Sequence, residues 1–89
     1  MLFMVIERFK DVAAIAERFK RSGRMLPEGV TYVASWVEPD GGRCFQMMEA
    51  ENAAALEPWI DRWKDLADFE VVSVLTSDEC CRARNKPQT

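Results

Sequence analysis

The side chains that could do chemistry in this chain of 89 residues are few, because it contains no histidine. That removes histidine-dependent nucleophilic triads, histidine metal sites and the usual proton shuttle near neutral pH. Carboxylates come next. Glu7 and Glu70 fall opposite one another if the first and last strands pair with Val5 against Val72, and two close carboxylates raise one pKa towards that of a general base. The commoner arrangement is a solvated rim pair, or one neutralised by Arg43 or Arg8. Ser35, Gln46 and Ser73, beside Met48, can supply hydrogen bonds inside an otherwise apolar, methionine-rich cavity. The alternative is that these polar residues pair with one another or with water in a filled interface, as buried polar groups normally do. Arg8, on the same parity at a strand end, suits an anionic ligand at the mouth of such a cavity, or a plain surface ion pair.

Other reactive types carry less. Cys44 is expected mid-strand as a small buried hydrophobe, and Cys80 and Cys81 as exposed thiols with no cationic helix terminus to activate them. Trp36, Trp59 and Trp63 could line a site for an aromatic substrate, although the helical spacing of the last two favours packing. Neither GxGxxG nor GxxxxGK[ST] occurs, and Gly41-Gly42 belongs to a hairpin, so no nucleotide site, metal or cofactor is expected.

Composition bounds the rest. With 48% apolar and 30% charged residues the chain has the profile of one folded domain. At this size folding buries only roughly two-thirds of the unfolded surface, and oligomerisation is an economical way to add to the core. The net charge of -3, with basic residues scattered along the chain, gives no stripe to neutralise phosphates, so nucleic acid is not an expected partner. The opening MLFMVIERF is interrupted by Glu7 and Arg8 and is too short to span a bilayer, so no membrane is expected either. Three cysteines, two of them adjacent, form neither a disulfide framework nor a metal clamp, which points to a reducing, cytoplasmic setting.

The elements that must position these groups follow from periodicity. Residues 2–9 are rich in strand formers, and Asp11 caps a helix to about Ser22 whose apolar stripe is Val12, Ile15, Ala16 and Phe19. Gly23 suits the left-handed position beyond that helix, and Pro27-Glu28-Gly29 makes a turn. Two strand-length runs, 30–37 and 43–50, flank Asp40-Gly41, a strong hairpin signal. Asn52 caps a second helix carrying Leu56, Trp59, Ile60, Trp63 and Leu66, with Pro58 as a weak point in its second turn. FEVVSVL at 69–75 is a fourth strand. After a domain over 1–78, residues 79–89 are expected to be a short helical turn begun by Ser77 and a polar tail that frays beyond Arg84. The order βαββαβ folds into a ferredoxin-like α+β domain: one four-stranded antiparallel sheet with both helices on one face.

The other face should then be polar, yet apolar residues occupy both parities. Setting Glu38 opposite Arg43 puts Ser35 opposite Gln46 and Val33 opposite Met48. Extended, that register adds Met4, Ile6, Val71 and Ser73 to this face and leaves Phe3, Val5, Tyr32, Trp36, Phe45, Met47, Val72 and Val74 on the other. Two helices cover one face, so a second copy is expected to cover the remaining patch in a homodimer.

The stretches MLFMVIERFKD, RSGRMLPEGVTYVASWVE, GRCFQMMEA and Trp59 through WKDLADFEVVSVLTS, spanning about residues 1–78, resemble a bacterial family known as domain of unknown function 3303. Its most specific motifs here are Ser22-Gly23-Arg24-Met25, Tyr32-Val33-Ala34-Ser35-Trp36 and Cys44-Phe45-Gln46-Met47-Met48-Glu49. The resemblance implies a dimeric α/β-barrel with no assigned activity. Cys80-Cys81 depart from the small residues expected there. The expected function is binding of a small, mostly apolar or aromatic ligand between the two sheets by Arg8, Ser35, Gln46, Met48 and Ser73. The alternatives are a cofactor-free enzyme resembling monooxygenases or isomerases of this architecture, and an interaction module with a solid dimer interface.

Overall fold

Phe3 and Val5 each lose nearly all contact with water while Leu2, Met4 and Ile6 between them keep some, the period-two signature of a strand whose faces are covered unequally. A computed structural model of the chain describes residues 1–83. They form β1 (Leu2–Phe9), α1 (Val12–Ser22), β2 (Thr31–Val37), β3 (Arg43–Glu49), a 3-10 turn (Ala53–Leu56) leading into α2 (Glu57–Asp61), β4 (Ala67–Val74) and α3 (Ser77–Ala83). The sheet order is β2-β3-β1-β4, with every neighbouring pair antiparallel. β1 and β2 are therefore parallel with β3 between them, the split βαβ arrangement of a ferredoxin-like α+β fold. Among the described residues no helix is long and apolar enough to cross a membrane.

Local chemistry explains each boundary. The Asp11 side chain accepts the amide of Ala14 at 3.0 Å and starts α1. Gly23 ends it at φ 67°, ψ -159°, a conformation outside the left-handed helical region and almost reserved for glycine, while its N–H bonds the Phe19 carbonyl at 2.7 Å. Glu38 and Arg43 close the hairpin through two charge-assisted bonds of 2.7 and 2.9 Å, as the expected register requires. Thr76 and Glu79 exchange backbone and side-chain bonds, each 3.1 Å, in a capping box, so Thr76 and not Ser77 starts α3. The expected fraying beyond Arg84 lies outside the described residues.

The core gathers Phe3, Val5, Val30, Met48, Ala50, Leu56, Trp59 and Trp63 between the sheet and the segment around α2. The Trp59 and Phe69 rings meet edge to face, centroids 5.4 Å apart at 77°. No residue of α1 is buried, although Ile15 packs against this cluster. That helix covers the sheet loosely.

The structure also departs from the expected pattern in the registers of the sheet and in the second helix. β1 pairs with β3 as Val5↔Gln46, so Phe3, Val5 and Glu7 share a face with Gln46 and Met48, while Met4 and Ile6 turn the other way. With apolar residues on both parities, the pattern could not choose between registers one residue apart. β2 bulges at Val33, which brings Tyr32 instead opposite Met48 and leaves Val33 exposed. β4 pairs Val5 with Val71, so Glu70 lies opposite Ile6, Phe69 opposite Glu7, and the two carboxylates sit on opposite faces. The long second helix is broken into a 3-10 turn and five α-helical residues, because Pro58 sits in the first turn of α2 and forbids a continuous ladder through it.

Candidate functional site

Every second residue of β1 and β3 points at the helices, and near one end of this face stand polar side chains where core is expected. Glu7 and Gln46, 8% and 4% exposed, are buried there with Cys44. Gln46 Nε2 donates to Glu7 Oε2 at 2.6 Å, and Gln46 Oε1 accepts from Arg24 Nε at 2.6 Å. The amide links a cation to a carboxylate, and its orientation is set by both neighbours: the oxygen must face the donor and the nitrogen the acceptor.

Arg24 arrives from the connection between α1 and β2. Gly23 and Met25 on either side have φ of 67° and 58°, so the chain turns sharply through this residue. Its carbonyl accepts the Trp63 indole N–H at 3.0 Å, and the Met25 carbonyl accepts from Arg62, pinning the connection to the residues after α2. The guanidinium lies 3.7 Å from the Tyr32 ring centroid and 5.2 Å from that of Phe19, a cation held between two π faces. The bulge at Val33 puts Tyr32 there. It also lets the Tyr32 hydroxyl pair with Ser35 Oγ at 2.8 Å.

Around these groups lies a cavity of about 140 Å³ between α1, the tryptophans and the sheet. Glu7, Arg24, Ser35, Cys44 and Gln46 supply its polar wall, and Phe9, Ile15, Phe19, Val37, Trp59 and Trp63 the apolar one. Trp59 is 1% exposed, and its Nε1 has no hydrogen-bond partner among the described residues. An indole N–H so buried normally finds an acceptor.

Electrostatics sharpen two roles. Burial pushes the Glu7 carboxyl above its ordinary value; donation from Cys44 and Gln46 and the charge of Arg24 pull it back only in part. Burial, then the neighbouring Glu7 charge, push the Cys44 thiol up to about 12. Cys44 therefore stays a thiol at neutral pH and acts as a donor to Glu7, not as a nucleophile.

Of the five residues expected to bind ligand, the structure brings Ser35 and Gln46 together in this cavity. Met48 is fully buried in the core beyond its wall. Arg8 is exposed on the opposite face, across from Arg43 and Asp68, and Ser73 is exposed at the far end of β4, opposite Phe3. Arg24 was not anticipated as a site residue, although Gly-Arg between a helix and a proline turn signals a connection with unusual backbone. Glu7 was singled out, but with the wrong partner.

An antiparallel β2-β3-β1-β4 sheet with helices over one face and a polar-lipped cavity beneath them defines a ferredoxin-like α+β protein with a single-chain pocket. The sequence profile described as Domain of unknown function (DUF3303) matches residues 1–87, and the chain belongs to that family. No curated protein and no solved structure matches it significantly.

Proposed function

We propose that this chain binds one small, mostly apolar molecule about the size of a single ring, with a polar group turned towards Glu7 and Gln46. The observation that carries this is the cavity of about 140 Å³, in which Glu7, Arg24, Ser35 and Gln46 interrupt an otherwise apolar and aromatic wall. An apolar cavity of about 150 Å³ accommodates benzene, which sets the scale of the occupant. The ligand site moves accordingly from the space between two sheets to the helix face. The chemistry is that of a pocket with a few convergent polar groups in apolar walls. Trp59 and Trp63 line it, so a screen of phenols, quinones and short acyl compounds can be read by tryptophan fluorescence and thermal shift. Saturable quenching with a raised Tm is expected from at least one class, lost in Gln46→Leu; no response from any class at millimolar concentration overturns the proposal.

The protein is further proposed to be a cytoplasmic homodimer joined through the open faces of its sheets. Met4, Ile6, Trp36, Phe45, Met47 and Val72 share that face by register, and Trp36 is 55% exposed. Sedimentation should give twice the 10.2 kDa of one chain, and Trp36→Glu should return it to that mass.

A further inference from the structure

Glu7 sits in the wall of the cavity as a hydrogen-bond acceptor, with donors from Gln46 and Cys44 behind it. Burial makes this carboxyl more basic than an ordinary glutamate, and it borders the open space of the cavity. One donor on the same cavity has N–H groups to spare: Arg24, whose Nε is engaged by Gln46 while its terminal amino groups make no hydrogen bond among the described residues. A base and a spare cationic donor on one cavity are what is needed to take a proton from carbon beside a carbonyl, because the charge that develops on oxygen must be received somewhere.

We propose that Glu7 is a general base that moves a proton between carbon atoms of a ring-sized ketone or comparable carbon acid, with Arg24 receiving the carbonyl oxygen. This rests on the ligand site described above and adds a reaction to it. The C–H bond next to the carbonyl breaks, its proton passes to a Glu7 oxygen, and the electron pair becomes the C=C bond of an enolate whose charge rests on oxygen. Return of the same proton to another carbon of that delocalised anion gives an isomer and restores the carboxylate. Nothing is oxidised or reduced. Cys44 and Gln46 act here as positioning residues that hold the carboxylate towards the cavity.

The test uses cyclohexanone and 3-cyclohexenone as probes of the full chain. Binding of cyclohexanone is read by tryptophan fluorescence, exchange of its α-protons in D2O by proton NMR, and conversion of 3-cyclohexenone to its conjugated isomer by ultraviolet absorbance. The wild type is expected to bind and to accelerate both reactions saturably. Glu7→Gln, which keeps an oxygen and the side-chain shape, is expected to bind within about threefold of wild type and to lose about 100-fold or more of both rates. Glu7→Asp, with the carboxylate withdrawn by one methylene, should bind and retain part of the rate, and the wild-type rate should decline as acid protonates Glu7, which faces the Cys44 thiol and the Arg24 guanidinium. Wild-type binding without exchange above buffer overturns the catalytic role and leaves the ligand site standing, as does a Glu7→Gln variant that exchanges like wild type. Absence of binding by wild type overturns both.

Discussion

The buried indole of Trp59 makes an unusual prediction about stability. Trp59 and Trp63 are close equals in burial, 1% and 5% exposed, and both line the cavity, but only Trp63 has an acceptor, the Arg24 carbonyl. Replacing either with phenylalanine removes about 40 Å³ of side chain, which at about 24 cal/mol per Å³ costs about 1 kcal/mol. For Trp63→Phe the Arg24 carbonyl also loses its donor, adding about 1–2 kcal/mol, so the total loss is about 2–3 kcal/mol. For Trp59→Phe the sign of the second contribution reverses: an orphaned buried donor costs about 1–3 kcal/mol, and removing it returns that amount. The edge-to-face contact with Phe69 can be kept by a phenyl ring. Trp59→Phe should therefore be as stable as wild type or up to about 2 kcal/mol more stable, and the two variants should differ by about 2–5 kcal/mol. Urea unfolding followed by circular dichroism measures both, with m-values checked for constancy. If Trp59→Phe proves as costly as Trp63→Phe, its N–H is already satisfied in the folded protein and the reasoning fails.

Glu7 should make stability depend on pH in the sense opposite to an ion-paired carboxylate. Its folded pKa is raised, so the folded state binds the proton more tightly than the unfolded state, and stability is lost as pH rises from the unfolded value through the folded one. Unfolding free energies of wild type relative to Glu7→Gln, measured from about pH 4 to 8, should fall with rising pH and then level off; a difference that grows with pH contradicts the burial argument. Cys44, with its thiol pushed up to about 12 and buried, should resist iodoacetamide at pH 8 in the native state and react once the chain is unfolded, as mass spectrometry of the digested protein will show. Gly23→Ala meets no atom within 4 Å of the added methyl, so its cost is purely conformational, about 1–3 kcal/mol for a non-glycine residue at φ 67°, ψ -159°. That substitution should also weaken ligand binding by displacing Arg24, whereas Gly42→Ala, without a positive φ, should leave binding unchanged.

How far the sequence foretold the fold depended on whether one local signal outweighed its rivals. Asp40-Gly41 between two strand-length runs had no competitor, so the hairpin, its register near the turn and the Glu38–Arg43 clasp were all legible. The order of elements was legible too, because each strand or helix begins or ends at a cap, a glycine or a proline. The face carried by β1 was not, since Leu2–Phe9 is apolar on both parities and pairs with β3 through long-range contacts that leave no trace in spacing. The bulge at Val33 left no local mark either, yet it decides that Tyr32 faces Arg24. In the site, Gln46 and Ser35 stood out as polar residues in apolar strands. Arg24 did not, because its approach depends on two successive departures from ordinary backbone, at Gly23 and Met25, and only the first belongs to a residue type that announces it.

The bulge has a further effect at the rim of the sheet. β2 and β4 are the outer strands, and each offers unpaired amides and carbonyls along one side. At β2 the extra residue breaks the even spacing that an incoming strand would have to match, and at β4 the exposed Asp68 and Glu70 place negative charge along the border. Lateral growth into a longer ribbon is discouraged at both margins, by irregularity on one and by repulsion on the other. Edge-to-edge pairing is thereby disfavoured in a small protein with so much apolar surface.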